Sequence, residues 1–286
     1  MGMLDGKVAI ITGAGGGLGR EYALLLAKEG AKIVVNDYGG SPDGRSPGSP
    51  AAQKVVEEIK AAGGEAVANG ADVGDVEAGA SLLQTALDAF GRVDILINNA
   101  GILRDKSFVK MEEADWDAVV RVHLKGTYAV TRPVFAWMKD KGGGVIVNTS
   151  SASGLIGNFG QSNYGAAKAG IWGLGNVLAI EGAKFGIRVW TLAPTATTRL
   201  TEALLPPELA AKWQPHRLAP AVLYMVSDAA KHLTGKCLSV SGSKIQELRL
   251  VAGAGYWPEG DVPTVQGIID NYDKIFLPET DPIGFE

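Results

Sequence analysis

Short, β-branched, largely apolar runs alternate along this chain with longer stretches whose apolar residues recur at helical spacing. The runs are KVAIIT (7–12), KIVVN (32–36), EAVAN (65–69), VDILIN (93–98), GVIVNTS (144–150), IRVWTL (187–192) and KCLSVS (236–241). Several are almost continuously apolar, as strands are when helices cover both faces of their sheet. Between them, segments such as AAQKVVEEIKAAG (51–63) set their apolar residues on one helical face and end on glycine. Repeated strand–helix–strand units predict an α/β fold: a doubly wound, Rossmann-like parallel sheet of about seven strands, with right-handed crossovers and helices on both faces.

Two stretches break the rhythm. Residues 39–50, GGSPDGRSPGSP, are nearly devoid of apolar side chains and read as an inserted loop. Residues 243–286 follow the last run, and their aromatics predict an ordered extension with one short helix rather than a disordered tail. No internal repeat is visible. The expected organisation is one domain, 1–242, with 243–286 packed upon it.

Composition narrows the class. Hydrophobic residues make up 46% and charged residues 20%, which suits a soluble globular chain. The formal charge of -4 comes without any basic block, so no nucleic-acid partner is expected. Cys237 is the only cysteine, which excludes an intrachain disulfide and suits a reducing compartment. The opening MGMLDGKVAIITG has no long apolar stretch, and Gly6 stands where a myristoylation signal wants Ser or Thr. The final GFE is no peroxisomal address, so no membrane attachment and a cytoplasmic location are expected.

Candidate chemistry begins where the first run meets Thr12-Gly13-Ala14-Gly15-Gly16-Gly17-Leu18-Gly19 and a helix follows from Arg20. Gly13, Gly15, Gly17 and Gly19 let the backbone turn tightly and approach a pyrophosphate, Leu18 lies within the same turn, and the helix N-terminus supplies N–H donors. Asp37 ends the second run, at the distance where a carboxylate accepts from the ribose hydroxyls of a dinucleotide and repels a 2′-phosphate. It could also serve simply as a strand-end turn residue. Asp72 and Val73 follow the third run, where an adenine edge would lie. Asn98, Asn99, Ala100 and Gly101 follow the fourth, at the crevice where sheet order reverses and ligands bind. Tyr164 and Lys168 are one turn apart on a helix predicted to begin near Gln161. An ammonium on the same face favours a phenolate and is expected to lower the Tyr164 pKa towards the range where a general base works.

With these motifs in order, the chain resembles the short-chain dehydrogenase/reductase family over roughly residues 5–242. The shared motifs are T-G-x-x-x-G-x-G (12–19), N-N-A-G (98–101), a serine ahead of the tyrosine, and Y-x-x-x-K (164–168). The resemblance implies that Tyr164 moves a proton while a nicotinamide cofactor exchanges hydride with a secondary alcohol or ketone. It implies that Lys168 also bonds the nicotinamide ribose, and that Ser151, rather than its neighbours Ser150 and Ser153, holds the substrate oxygen. Gly16 stands where NADP-using relatives commonly carry Arg or Lys, so Gly16 and Asp37 together point to NAD. His123 departs from the family pattern, in which Asn holds a helix kink and a relay water. It either replaces Asn through its backbone carbonyl, joins the relay with its imidazole, or is a packed helix histidine.

The V-H-L-K-G segment around His123, ILRDKSF (102–108) and APTATTRLTE (193–202) narrow the resemblance. They are similar to the (3R)-hydroxyacyl-CoA dehydrogenase domain of multifunctional enzyme type 2, also called 17β-hydroxysteroid dehydrogenase type 4. That resemblance implies oxidation of a 3-hydroxyacyl-CoA of fatty-acid or steroid side-chain breakdown by NAD. The alternatives are a hydroxysteroid dehydrogenase, an NADPH-dependent 3-oxoacyl reductase, or a non-catalytic nucleotide-binding regulator on the same scaffold. It also implies a nicotinamide contact at Pro194, Ala196 and either Thr197 or Thr198, no metal, and a homodimer or homotetramer. Residues 199–216 read as a substrate lid, in which Leu200, Leu204, Leu205 and Trp213 either line an acyl or sterol site or pack the fold. Arg104, Lys106 and Lys110 are either solvated surface cations or a lure for coenzyme A phosphates.

Overall fold

In the computed structural model the described residues are 2–44, 50–198, 207–258, 260 and 262–278, with the backbone alone for 207, 209 and 210. Strands β1 (Val8–Thr12), β2 (Lys32–Asn36), β3 (Ala66–Asn69), β4 (Ile95–Asn98), β5 (Gly144–Thr149), β6 (Ile187–Thr195), β7 (Lys236–Ser241) and β8 (Lys244–Leu248) form one sheet in the order 3-2-1-4-5-6-7-8. From β3 to β7 every pairing is parallel. The eighth strand exceeds the seven expected. A two-residue turn at Gly242-Ser243, with Gly242 at φ +57°, returns the chain beside β7, and so short a connection joins antiparallel strands only. Its KIQEL sequence is mostly polar and largely exposed, which hides it from an apolar-run reading.

Helices α1 (Gly17–Lys28), α2 (Ala51–Ala61), α3 (Val76–Phe90) and α4 (Glu113–Val120) alternate with the first half of the sheet. A π-helical turn at Arg121–Lys125 joins α4 to α5 (Gly126–Lys141). After β5 come α6 (Ala152–Leu155) and the long α7 (Ser162–Ala183), then α8 (Pro207–Lys212) and α9 (Ala219–Val226) beyond β6. Alternate strand residues feed two cores. Ala9, Ile11, Ile33, Val35, Ile95 and Ile97 join Leu26 of α1, Val56 of α2 and Val222 of α9 on one face. Val8, Ile10, Val34, Leu96 and Ile146 join Leu82 of α3 and Val134 of α5 on the other. Each Val, Leu or Ile among them, fully buried, contributes about 1.5–3 kcal/mol. The parallel sheet follows from strands apolar on both faces.

The chain forms two compact units, Met1–Glu247 and Leu248–Glu286. The second holds two short helices rather than the one expected, α10 (Val265–Asp270) and α11 (Tyr272–Ile275), divided at Asn271. Thr264 caps α10 by accepting from the Gly267 N–H at 3.0 Å. Among the described residues, no helix is long and apolar enough to cross a membrane.

Candidate active site

The C-terminal ends of β1 and β4 are bonded into one floor. The Thr12 hydroxyl accepts from the N–H groups of Asn99 at 2.9 Å and Ala100 at 3.1 Å. Asn99 Nδ2 donates in return to the carbonyls of Thr12 at 3.0 Å and Gly13 at 3.1 Å. Gly13 has φ +62°, and a Cβ there would stand 2.7 Å from Ala100 Cα, so only glycine serves. A Cβ at Gly19 would collide with the Gly13 carbonyl oxygen. Gly17 and Leu18 open α1, which has no side-chain cap and no acidic residue in its first turn. Its first N–H groups therefore have no capping side chain and are able to take an anion. Thr198 lies beside Gly17, with Cγ2 3.5 Å from where a Gly17 Cβ would be.

Asp37 stands against this turn. Its Oδ2 accepts from the Gly15 N–H at 2.8 Å and its Oδ1 from the Gly39 N–H at 2.6 Å. A Cβ on Gly15 would come within 2.8 Å of that carboxylate, so the glycine admits it. Asp72 is engaged differently: Oδ2 pairs with Arg121 Nη2 at 2.9 Å and Oδ1 accepts from the Gly74 N–H at 2.9 Å. Val73 is buried beside Gly126 of α5. Pro194 lies near the end of β6, and Ala196 is buried just past it. The Thr197 N–H donates to the Trp213 carbonyl at 2.7 Å. Trp213 is buried against Gly242 and so packs the fold, whereas Leu200, Leu204 and Leu205 lie outside the described residues. These features fit a dinucleotide: a bare glycine turn, an uncapped helix N-terminus, and a fixed carboxylate beside both.

The second half of the site is built on α7 and the end of β5. The serines near Tyr164 have separate partners. Ser150 Oγ donates to the Lys168 carbonyl at 2.8 Å, and Ser153 Oγ to Gln161 Oε1 at 2.7 Å. Ser151 Oγ accepts from the Ser153 N–H at 3.2 Å, and the hydroxyl lowers the pKa of the Tyr164 phenol. Gly154 lets α6 close on α7, since a Cβ there would meet Ala169 N at 2.6 Å. Lys168 is buried; its Nζ donates to the Thr149 carbonyl at 2.6 Å and lies 5.4 Å from the Tyr164 ring centroid.

The protonation states run against the expectation from spacing. Burial, opposed by the Ser151 hydrogen bond and reinforced by the Asp105 charge, pushes the Tyr164 phenol up to about 12. Burial lowers the Lys168 amine to about 7. The apolar setting therefore outweighs the neighbouring ammonium, which is itself weakened as a cation.

His123 sits in the π-helical turn, buried, with its ring edge-on to Tyr164 at 5.1 Å between centroids and 87° between planes. Nε2 lies 3.1 Å from the Ile102 nitrogen and 2.8 Å from its carbonyl oxygen, while Nδ1 is buried without a partner. Gly101 makes room, since a Cβ there would collide with His123 Cε1. Burial first, then the Lys168 charge, lower the imidazole to about 3 despite its bond with Ile102. It is neutral in ordinary conditions. Thr127 Oγ1 donates to the His123 carbonyl at 2.7 Å.

The motif reading missed Asp105, Gln161 and Asn163. Asn163 Nδ2 donates to the carbonyls of Arg104 at 3.1 Å and Asp115 at 3.2 Å, and its Oδ1 accepts from the Tyr164 N–H at 2.7 Å. Gln161 Nε2 donates to Asp105 Oδ2 at 2.7 Å. These bonds fasten the ILRDK loop to the start of α7; the signal for them was a run of polar residues just before Tyr164. Arg104 and Lys106 both reach buried Asp115, at 3.9 and 2.7 Å, while Lys110 is exposed.

A glycine turn with a carboxylate fixed beside it, and a Ser–Tyr–Lys group at the end of β5 in the same sheet, are the arrangement of an oxidoreductase that uses a nicotinamide dinucleotide on CH–OH groups. The chain belongs to the short-chain dehydrogenase family, whose profile matches residues 7–205. It is similar to peroxisomal multifunctional enzyme type 2 of Mus musculus, 48% identical over 95% of this chain and 37% of the mouse protein. It thus spans well under two thirds of that relative's length. A solved short chain dehydrogenase from Mycobacterium avium superposes with a TM-score of 0.85 at 44% identity, covering 97% of this chain and 98% of the other. A solved 7α-hydroxysteroid dehydrogenase, complexed with NADH and 7-oxo glycochenodeoxycholic acid, superposes with a TM-score of 0.76 at 34% identity over 86% and 97% of the two chains.

Proposed function

We propose that this protein is an NAD-dependent dehydrogenase that oxidises a 3-hydroxyacyl-CoA of fatty-acid or steroid side-chain breakdown to the 3-ketoacyl-CoA. The observation that carries the chemistry is the buried Lys168 amine, 5.4 Å from the Tyr164 ring centroid and bonded to the Thr149 carbonyl at the end of β5, where Ser151 follows. The substrate class rests on the likeness to the multifunctional enzyme and on the V-H-L-K-G and ILRDKSF segments. NAD rather than NADP is favoured by Asp37, whose fixed carboxylate accepts from ribose hydroxyls and repels a 2′-phosphate.

Gly13, Gly15, Gly17 and Gly19 let the pyrophosphate reach the N-terminus of α1, Ala100 leaves space along the floor, and Gly101 admits the His123 ring behind it. Asp72 and Val73 lie by the adenine edge, and Pro194, Ala196 and Thr198 by the nicotinamide end. Bound NAD supplies the hydride acceptor and, being oxidised, a positive charge near the phenol. Tyr164, as phenolate, takes the proton from the substrate hydroxyl while the carbon-bound hydrogen leaves as hydride. Ser151 holds the substrate oxygen through the transition state. Lys168 stabilises the phenolate and orients the ribose. Neutral His123 fixes the ring edge of Tyr164 and stores no relay proton in ordinary conditions. The homo-oligomer implied by the family would form over α5 and α7, where Tyr128, Val177 and Ile180 are exposed.

A second reading, hydroxysteroid oxidation by the same residues, is favoured by the likeness to the 7α-hydroxysteroid enzyme. Reduced-cofactor formation with NAD and NADP against panels of 3-hydroxyacyl-CoAs and hydroxysteroids separates the two. We expect turnover of acyl-CoAs with kcat/KM for NAD at least about tenfold that for NADP, equal to about 1.4 kcal/mol. Turnover of steroids alone selects the second reading. Binding of NAD without turnover of any panel member sinks both.

A further inference from the structure

A chain of hydrogen bonds, three side chains and the Ser153 backbone N–H, runs from the rim of the site to Ser151 Oγ. Asp105 is exposed in the loop after β4, yet its Oδ2 turns inward and accepts from Gln161 Nε2 at 2.7 Å. Gln161 is buried at the start of α7, and its Oε1 accepts from Ser153 Oγ at 2.7 Å and from Asn158 Nδ2 at 3.2 Å. The Ser153 N–H donates to Ser151 Oγ at 3.2 Å, and the Ser151 hydroxyl in turn lowers the pKa of the Tyr164 phenol against the effect of burial. Gln161 thus has a single orientation, because exchange of its amide oxygen and nitrogen would set two acceptors against each other at Asp105. We propose that Asp105 is a positioning residue: through Gln161 and Ser153 it fixes Ser151 Oγ within the Ser–Tyr–Lys site.

The neighbouring groups support this assignment. Lys168 and His123 face Tyr164 from α7 and from the π-helical turn, and Asp105 is the carboxylate that acts on it. The cations flanking Asp105 in sequence, Arg104 and Lys106, reach Asp115 instead. Asp105 makes no ion pair among the described residues, so its charge is not neutralised locally. The part of Asp105 turned inward is enough to push its own carboxyl above the usual range, opposed by the Gln161 bond. Its charge favours the protonated phenol and therefore delays base catalysis to higher pH.

The proposal rests on the dehydrogenase reading, and the test separates the two. The pH profile of kcat for alcohol oxidation is measured for the native protein, Asp105→Asn and Gln161→Leu, with folding checked by circular dichroism. Asp105→Asn keeps an acceptor for Gln161 and loses the charge. Its profile should move to lower pH by about half a unit, a modest shift because water screens an exposed carboxylate. Gln161→Leu breaks the relay and should lower kcat about tenfold with a smaller change in KM, as expected when a positioned transition-state contact is lost. A native protein without turnover defeats the dehydrogenase reading. Native turnover with superimposable profiles for native and Asp105→Asn, or an unaltered kcat in Gln161→Leu, overturns the role given to Asp105.

Discussion

Asp37 accepts from two backbone N–H groups, Gly15 and Gly39, and so holds its carboxylate beside the glycine turn before any ligand arrives. Asp37→Asn removes the charge and one of these acceptors. We expect kcat/KM for NAD to fall about tenfold, the worth of one charge-assisted bond, and the preference over NADP to narrow. An unchanged cofactor ratio would remove Asp37 from the ribose site. Residue identities at this scale were legible because the glycine turn and Y-x-x-x-K are local in sequence. Protonation was not. Spacing placed Lys168 near Tyr164, but only packing reveals that burial takes the phenol up to about 12 and the amine down to about 7. The Asp105–Gln161 bond was equally hidden, since it joins a loop to a distant helix through side chains that no period marks.

Between α4 and α5, the π-helical turn turns the His123 ring between the Ile102 backbone and Tyr164. Its imidazole is held near a pKa of about 3, below the 6.5 of a free histidine. An unfolded chain therefore binds a proton at His123 that the folded chain refuses. The associated stability is fully present above 6.5 and is lost as pH falls through the window from 6.5 to about 3. His123→Asn should flatten the fall in melting midpoint across that window, whatever its effect at neutral pH. Equal slopes for native and variant would show that His123 does not carry the acid sensitivity. The helix itself was readable from its apolar spacing; the extra residue in its turn was not, because a π-turn leaves the overall period almost intact. Strand β8 escaped notice for a related reason, being polar and exposed at a sheet edge.

Among the described residues, every buried core residue, and every residue assigned to the site, precedes residue 248. The first unit thus contains a complete two-faced core, and a chain ending at Arg249 should fold and bind dinucleotide. Its melting midpoint is expected within about 2–4 °C of the full chain, the shift that about 1 kcal/mol produces in a domain of about 250 residues. Loss of cooperative melting would place part of the core's support in residues 250–286. The doubly wound sheet was legible at this scale because strands covered on both faces are continuously apolar, as in KVAIIT and VDILIN. The tail was less so: Asn271 divides its helical segment, and too few apolar residues there fix a period. The whole account turns on Tyr164 as the group that takes the substrate proton. The most direct measurement is NADH formation from NAD and a 3-hydroxyacyl-CoA by native protein and Tyr164→Phe, with NAD binding followed in parallel. General-base loss predicts a kcat lower by about 10²–10⁴-fold with NAD binding retained; a variant that turns over at the native rate would contradict it.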